Sequence, residues 1–305
     1  MTPIRIVLLA ALVPGAAGLL LPAPALAGSC CGGGVASSLV LPRNYKAVVD
    51  VSFEWEKYDG FWNQDGKHTQ DPSGSDLNQY RLNFWGAYRF LSRWHAGIAV
   101  PWVWNDNRYS GISSSSNGIG DTTVALWYEA VHDLSSWKVQ NLKDLTPSVT
   151  VGASLTVPTG ISPYDDVSSS FDVTGRGFYR IDANLLVDKT INPWIGAVFL
   201  SYGTYIEREV NQEFGKPVQP YEKDLGNRFS GGASLSYVHF VGTAGDSLTG
   251  TASMSYIHEA DGTIDGRTDP TGAFEKTAAG LALAYASTDH DWAVRFSWSH
   301  AIQQD

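Results

Sequence analysis

Apolar and polar side chains alternate along most of the chain after about residue 46. In the stretch Trp292–His300, Trp292, Val294, Phe296 and Trp298 fall on one face, and polar or small residues fall on the other. Successive side chains of a β-strand point to opposite faces, so this period of two predicts a strand with one apolar side. The pattern recurs about eleven times, with turn residues between the repeats.

The predicted strands are long enough to cross a bilayer, which takes about 9–11 residues of a tilted strand. They cover residues 46–58, 78–91, 94–104, 121–131, 146–157, 177–188, 193–206, 228–240, 248–258, 276–287 and 292–301. The Tyr, Trp and Phe residues, 14, 11 and 12 in number, are many for this length and predict the aromatic girdles of a membrane barrel. We therefore expect the apolar side of each strand to face lipid and the polar side to face a lumen.

The connections between these strands alternate in length. Long polar connections are predicted at 59–77, 105–119, 159–174, 207–224 and 259–274, and short ones at 92–93, 189–192, 241–247 and 288–291. The connection 132–145 is the exception, because it is long but falls on the short side. Short periplasmic turns and long external loops are typical of bacterial outer-membrane barrels. The predicted fold class is therefore all-β, an antiparallel up-and-down transmembrane β-barrel, with a soluble secreted β-sandwich as the alternative.

An odd number of strands conflicts with the even numbers of bacterial barrels. The expectation is a barrel of about twelve strands with eleven visible in this chain. Either residues around 35–42 supply a strand, or the chain stops before its closing strand, and the second is the interpretation we favour. The sequence from Ala301 to Asp305 resembles the start of a loop.

Residues 1–27 are predicted to be a cleaved secretory signal peptide. Arg5 is the only early charge, an apolar run follows, and Ala25-Leu26-Ala27 offers the small residues that signal peptidase reads. Residues 28–45 are then a Gly/Cys-rich periplasmic leader, and residues 46–305 form the transmembrane β-barrel. The predicted location is the bacterial outer membrane, so one partner is the lipid bilayer.

The two cysteines, Cys30 and Cys31, are adjacent in the leader, so no disulfide framework supports the fold. Three interpretations of this thiol or lipid site stay open. The leader is flexible with exposed thiols, or Cys30 is lipidated, although Leu26 is one place too far from it, or the thiolates contact a partner, a metal or a haem protein.

Composition and motifs exclude several function classes. The net charge of −10 becomes −11 once Arg5 is removed with the signal peptide, which is the wrong sign for nucleic-acid binding. No nucleotide-binding loop, serine-hydrolase elbow or zinc motif occurs, and the seven histidines have no metal-ligand spacing. The sequence therefore predicts no enzyme, no catalytic residue, no metal and no cofactor.

The polar side of the strands carries charges of both signs. The residues expected to line the lumen are Asp50, Glu54, Glu56, Arg81, Arg89, Glu129, Arg180, Asp182, Asp188 and Arg295. Such charges either bond across the lumen and fill it, or orient solutes in a wet pore. A barrel of about twelve strands has a small bore, which favours a narrow path for small solutes.

Two short motifs flank a predicted strand pair. Gly118-Ile119-Gly120-Asp121 opens one strand and Pro158-Thr159-Gly160 ends the next. Rim geometry explains both, because glycine allows a tight backbone, Asp accepts backbone hydrogen bonds and Pro removes a ladder donor. The chain also resembles, through these motifs, the outer-membrane family named after the meta-pathway of phenol degradation. That resemblance implies a transporter-like barrel of about a dozen strands that passes small, often aromatic or apolar compounds.

These observations predict an outer-membrane channel or transporter for the passive passage of small solutes. The alternative is a structural or partner-binding barrel, whose leader or loops engage a partner such as an extracellular redox protein, without transport.

Overall fold

The protein is described here by a computed structural model that covers residues 40–41, 45–58, 60–62, 68–132, 139–242, 245–269, 272–287 and 292–304. The predicted signal peptide and most of the predicted leader, including Cys30 and Cys31, lie outside the described residues. In the part of the chain that is described, no helix has the length and apolar character needed to cross a membrane.

Strands account for nearly all the regular structure. In chain order they are β1 (Ala47–Tyr58), β2 (Gly60–Trp62), β3 (His68–Gln70), β4 (Asp76–Leu91), β5 (Trp94–Tyr109), β6 (Ile112–Ile119), β7 (Thr122–Val131), β8 (Ser148–Val157), β9 (Arg180–Ile191), β10 (Trp194–Tyr205), β11 (Arg208–Glu213), β12 (Lys216–Asp224), β13 (Arg228–Val241), β14 (Asp246–Glu259), β15 (Gly262–Ile264), β16 (Arg267–Asp269), β17 (Phe274–Ala286) and β18 (Ala293–Gln304).

Eleven of these strands form one continuous barrel wall in the order β1-β4-β5-β7-β8-β9-β10-β13-β14-β17-β18, and β6 pairs with the outer part of β5. Every neighbouring pair is antiparallel. The eleven predicted strands correspond one to one with these eleven, and their bounds differ by at most a few residues except at the end of β5. An up-and-down wall of this kind needs only the period-two pattern and short connections, both of which are visible in the sequence.

The two ends of the wall, β1 and β18, have no ladder between them among the described residues. Side chains nevertheless connect this side of the lumen, because Lys276 Nζ on β17 lies 3.5 Å from Glu56 Oε1 on β1. Ala293 at the start of β18 also packs against the small cluster of Leu41, Val48 and Ala87.

Four of the predicted long loops are wrong in detail, because they contain strands. β2 pairs with β3, β5 continues to Tyr109 and returns as β6, β11 pairs with β12, and β15 pairs with β16. The last three hairpins turn at two residues with positive φ, namely Ser110-Gly111, Phe214-Gly215 and Asp265-Gly266, as in type I′ turns. Their strands lack the apolar face of the barrel strands, so the period-two pattern does not mark them.

The outer hairpins also associate with one another. β11, β12, β15 and β16 form a separate four-stranded antiparallel sheet, in which Lys223 and Asp224 pair with Ile264 and Thr263. The exceptional connection 132–145 at the opposite end contains a short 3-10 helix, Leu142–Leu145, closed by a capping box between Asn141 and Asp144. Hydrogen bonds from the backbone N–H groups of Gln140 and Asn141 lower the pKa of the Asp144 carboxyl.

Alternation of exposure along the strands separates an outer apolar face from an inner face. Val49, Ile98, Ile181, Leu235 and Trp298 are exposed large apolar side chains of the outer face. Three aromatic pairs of that face lie at the end with the short turns, namely Trp94–Tyr128, Trp194–Tyr237 and Tyr285–Trp292. Their positions fit the girdle expected where a barrel meets the lipid headgroups.

We predict that Gly152→Val destabilises the barrel because Trp127 fills the space over this glycine. Trp127 is 1% exposed, and a Cβ on Gly152 would lie 2.4 Å from Trp127 Cε3. Overpacking of this kind costs about 1–3 kcal/mol. Urea unfolding in detergent micelles measures the loss, and Gly250→Val is the control because its Cβ meets nothing within 4 Å. Equal stability of the two variants would contradict this packing.

Candidate functional site

The structure places all ten residues that were predicted to line the lumen at inward-facing positions of the wall. Asp50, Arg89, Glu129 and Asp182 are buried, whereas their outward neighbours along the strands are more exposed. Arg295 on β18 is exposed although its position also faces inward. Whether these charges line a solute path is taken up below as a proposal.

The inner face is divided into two halves with different side chains. From β1 to β10 it carries large polar, charged and aromatic residues, many of them buried, including Gln79, Asn83, Trp85, His95 and Trp127. From β13 to β18 it carries mostly small residues, which we call the small-residue wall. Its small inward residues are Ser230, Gly232, Ser234, Ser236, Thr249, Thr251, Ser253, Ser255, Ala278, Gly280, Ala282, Ala284, Ser297 and Ser299. Fewer large side chains therefore project into the lumen from the small-residue wall than from β1 to β10, and we call the part of the lumen along this wall the open half.

A buried ion pair closes the filled half at the short-turn end. Arg89 Nη2 donates to Glu129 Oε1 at 2.6 Å, and the two side chains are 10% and 3% exposed. His132 Nδ1 lies 3.4 Å from the other Glu129 oxygen. Arg89 also donates to the backbone oxygens of Tyr45 and Ser92, so it ties the start of β1 to the β4–β5 turn.

A segment before β1 reaches the inner face at the same end. The backbone N–H of Leu41 donates to His95 Nε2 at 3.1 Å, and Leu41 is buried against Val48 and Ala87. Val40 packs against the cluster around Trp127. The inner face of β4, β5 and β7 is thereby covered by the chain itself at the short-turn end.

A second ion-pair group lies toward the other end of the filled half. Arg81 is paired with Glu54 at 3.3 Å and with Glu56 at 2.8 Å, and Glu56 also contacts Lys276. Gln79 Nε2 donates to Asn105 Oδ1 at 2.8 Å beside this group. These oppositely charged side chains pair with one another, which is one of the two roles expected for luminal charges.

The two sequence motifs at the rim meet in one tightly packed structure. Thr159 Oγ1 donates to the Gly120 oxygen at 2.7 Å and accepts from the backbone N–H of Thr122 at 3.0 Å. Asp121 accepts from the backbone N–H groups of Gly160 at 3.2 Å and Arg176 at 2.7 Å. Burial raises the pKa of the Asp121 carboxyl despite these bonds.

Glycine is required in this rim structure because backbones approach closely. A Cβ on Gly160 would lie 2.7 Å from Gly175 Cα, and a Cβ on Gly175 would lie 2.2 Å from Asp121 Oδ1. On Gly120 a Cβ would lie 2.9 Å from Pro101 Cγ and on Gly118 it would lie 3.2 Å from Ile161 Cδ1. The motif residues Gly118, Gly120, Asp121, Pro158, Thr159 and Gly160 thus anchor the base of the loop that joins β8 to β9.

This loop, residues 158–179, folds inward, and we call it the crossbar loop. On one side it packs against the inner side of β5 and β6. Asn105 Nδ2 donates to the Val173 oxygen at 3.0 Å, Asn107 Nδ2 to the Phe171 oxygen at 2.9 Å, and Ser116 Oγ to the Asp172 oxygen at 2.7 Å. Val173 is fully buried as a result.

The other side of the crossbar loop reaches β14. Arg176 forms a short ion pair with Glu259, the last residue of β14, and donates to Tyr205 Oη at 2.9 Å. β5 and β14 are the third and ninth of the eleven wall strands, so they stand on opposite sides of the barrel. The crossbar loop therefore spans the mouth of the lumen at the long-hairpin end.

Four arginines converge where the crossbar loop meets β9, β10, β13 and β14. Arg228 Nη1 lies 3.0 Å from Glu259 Oε1, and Arg180 Nε lies 2.8 Å from Asp182 Oδ1. Arg208 Nη1 donates to the Gly177 oxygen at 2.5 Å and lies over the Tyr164 and Phe178 rings. We call Arg176, Arg180, Arg208 and Arg228 the arginine cluster.

In this region, Arg180 and Asp182 are predicted from the sequence. Four further residues are not, namely Glu259, Arg176, Arg228 and Tyr205. Arg228, Tyr205 and Glu259 sit at strand ends on the inward parity, so the alternation itself was the signal that could have found them. Arg176 lies in a loop, and no periodicity marks it. Across the described residues, no set of three or more His, Cys, Asp or Glu side chains could hold a metal ion.

Comparison with known proteins agrees with this architecture. Residues 58–188 match the family described as "Putative MetA-pathway of phenol degradation". Among solved structures, the chain is similar to an outer membrane channel from Pseudomonas putida F1, with a TM-score of 0.61 and 14% sequence identity over 87% of this chain and 93% of that one. No curated protein matches the sequence.

The likeness to the channel establishes the fold, because at 14% identity it carries no further detail. The predicted antiparallel β-barrel fold is confirmed, and the family resemblance predicted from the rim motifs is confirmed by the match over residues 58–188. A location in the bacterial outer membrane stays a prediction.

Proposed function

We propose that this chain, which has the fold of an outer-membrane β-barrel and matches the phenol-degradation family over residues 58–188, is a channel for small apolar or aromatic solutes. Passage is passive diffusion through the lumen. Neither nucleotide hydrolysis nor any enzymatic step forms part of the proposal. The short turns face the periplasm and the long hairpins face the exterior.

The division of the inner face into two halves is the observation that carries this proposal. The half from β1 to β10 is filled by buried side chains and by the segment around Leu41. The small-residue wall keeps its inward side chains short, and several of them, such as Ser253 and Ser297, are exposed. A sealed structural barrel does not require small side chains along one wall, whereas a path for solutes does.

The solute class follows from the chemistry of that wall and from the family match. β17 presents Ala278, Gly280, Ala282 and Ala284 to the lumen, and β13 presents serines. Apart from Arg228 and Glu259, the inward charged residues on the described strands of this wall are Lys276 near the hairpin end and Arg295 near the short-turn end. Weakly polar, narrow surfaces suit small aromatic compounds, and the family description names the degradation of phenol.

The predicted luminal charges have two roles in this proposal. Arg89 with Glu129 and Arg81 with Glu54 and Glu56 fill the closed half and fix its shape. Arg180, at the hairpin end of β9 where the filled half borders the open half, and Arg295 on the small-residue wall orient solutes, and Asp182 holds Arg180 in place. The rim residues around Asp121 hold the crossbar loop, which narrows the entrance.

Narrowing the small-residue wall tests the proposal. Ser234→Trp on β13 places a large ring in the open half, and we expect the passage of phenol into proteoliposomes to fall by about threefold or more. Leu235→Trp is the matched control, because the neighbouring side chain faces lipid and is 53% exposed. Heat-modifiable gel mobility verifies that both variants are folded.

The alternative function, a structural or partner-binding barrel, predicts a different outcome. Such a barrel would give no conductance in planar bilayers and no phenol passage above protein-free vesicles. Unchanged passage in folded Ser234→Trp would also contradict a path along this wall. The leader with Cys30 and Cys31 lies outside the described residues, so a partner bound through it stays a prediction.

A further inference from the structure

The arginine cluster lies at the entrance of the open half of the lumen. Arg180, Tyr205, Arg228 and Glu259 occupy inward positions at the hairpin ends of four successive strands, and Arg176 joins them from the crossbar loop. The side chains of Arg176, Arg180 and Arg228 are 13%, 20% and 12% exposed, so each is reached by solvent. A solute entering along the small-residue wall passes this group first.

Positive charge exceeds negative charge in this group, whereas the whole chain carries −10. Three carboxylates face the four guanidinium groups, namely Asp121, Asp182 and Glu259. Asp121 accepts hydrogen bonds from the backbone N–H groups of Gly160 and Arg176. Arg180 is paired with Asp182 and Arg228 with Glu259, and a guanidinium group has five N–H donors, of which one carboxylate accepts at most two in the fork arrangement.

Glu259 shows what kind of group these donors bind. Its carboxylate is 1% exposed and receives Arg176, Arg228 and the Tyr205 hydroxyl, the last at 3.2 Å. A planar carboxylate matches the guanidinium fork, so the same donors suit the carboxylate of a solute. Glu259 takes up part of the donor set of Arg176 and Arg228.

We infer that Arg176, Arg180 and Arg228 are specificity-determining residues that favour solutes carrying a carboxylate on a small apolar body. The inference rests on the proposed channel function and narrows its solute class. The arginines attract the anionic end at the mouth, and the weakly polar small-residue wall accommodates the rest. Charged residues lining a pore are a recognised source of such selectivity.

Benzoate and benzamide are the probes, since they share an aromatic body and differ in charge. The full chain is reconstituted in liposomes and the ratio of benzoate to benzamide passage is measured. Arg228→Gln is expected to lower this ratio by about threefold or more, with benzamide passage unchanged. Glu259→Gln removes the competing carboxylate and is expected to raise the ratio.

Arg108→Gln is the control for net charge. Arg108 lies at the same end of the barrel, on β5, but its side chain is exposed on the outward side, so the ratio is expected to stay at the wild-type value. The reversal potential under a KCl gradient gives a second readout and is expected to shift toward cation preference in Arg228→Gln.

The possible results separate this inference from the channel proposal. Passage of neither probe through the wild-type barrel contradicts the channel itself. Passage of both probes with a ratio that Arg228→Gln and Glu259→Gln leave unchanged, or move in the same direction, contradicts only the inference. If Arg228→Gln does not show heat-modifiable mobility, Arg228→Lys and Glu259→Gln are measured in its place. Glu259→Gln keeps every arginine and is still expected to raise the ratio of benzoate to benzamide passage.

Discussion

Removing residues 161–174 and joining Gly160 to Gly175 is expected to raise the single-channel conductance by about twofold or more. The deleted part of the crossbar loop packs at the mouth against the inner side of β5 and β6, and its contacts with Asn105, Asn107 and Ser116 disappear with it. The junction is geometrically prepared, since a Cβ on Gly160 would already lie 2.7 Å from Gly175 Cα. Planar-bilayer recordings in symmetrical KCl measure the change.

A matched variant distinguishes the effect on conductance of the volume that the crossbar loop fills from the effect of its fixed position. Residues 161–174 are replaced by fourteen glycines and serines, so the chain length is retained and the side chains that pack on β5 and β6 are lost. We expect conductance above wild type but noisier than in the deletion, because a flexible segment still samples the mouth. Wild-type conductance in both variants would show that the crossbar loop does not limit passage.

Arg89→Ala is expected to lower the free energy of unfolding by about 3–5 kcal/mol, the usual cost of breaking a buried ion pair. The Glu129 carboxylate, 3% exposed, would lose its 2.6 Å partner and keep only His132 at 3.4 Å. The carbonyls of Tyr45 and Ser92 would lose a donor as well. Urea unfolding in micelles at neutral pH, followed by tryptophan fluorescence, measures the loss.

Two further variants test the cause of this loss. Arg89→Met with Glu129→Leu removes both charges and is expected to recover much of the stability, because no buried charge is left alone. Arg81→Ala is expected to cost less than Arg89→Ala, since its partners Glu54 and Glu56 are 41% and 24% exposed and Glu56 keeps its contact with Lys276. If Arg81→Ala and Arg89→Ala lower the free energy of unfolding by the same amount, then burial of the ion pair does not determine the size of the loss.

The rim motifs show that the local sequence can predict a turn without predicting the contacts that the turn makes. Gly118, Gly120 and Asp121 could be assigned to a turn, because glycine and aspartate favour such backbones. Asp121 can bind the backbone of Gly160 and Arg176 because three chain segments meet there. They are the beginning of β7, the end of β8 and the beginning of β9. Sequence separations of 39 and 55 residues leave no local trace of those bonds.

The arginine cluster shows the same limit for the candidate site. The inward direction of Arg180 and Asp182 follows from parity alone, because side chains of a strand alternate. The approach of Arg176 to Glu259 spans 83 residues and depends on a loop that crosses the mouth. A polar loop with no periodicity was predicted there, and such a loop can fold outward or inward without a change in its sequence pattern.

Eleven amphipathic strands, their two faces and the alternation of short and long connections are predictable from the sequence alone. They are predictable because a strand has a fixed period of two, and the solvents on its two sides select side chains at every position. The filled half of the lumen, the path of the crossbar loop and the pairing of the charges are features of the folded barrel. Those features arise from contacts between strands far apart in the chain, and the register and curvature of the whole wall fix them.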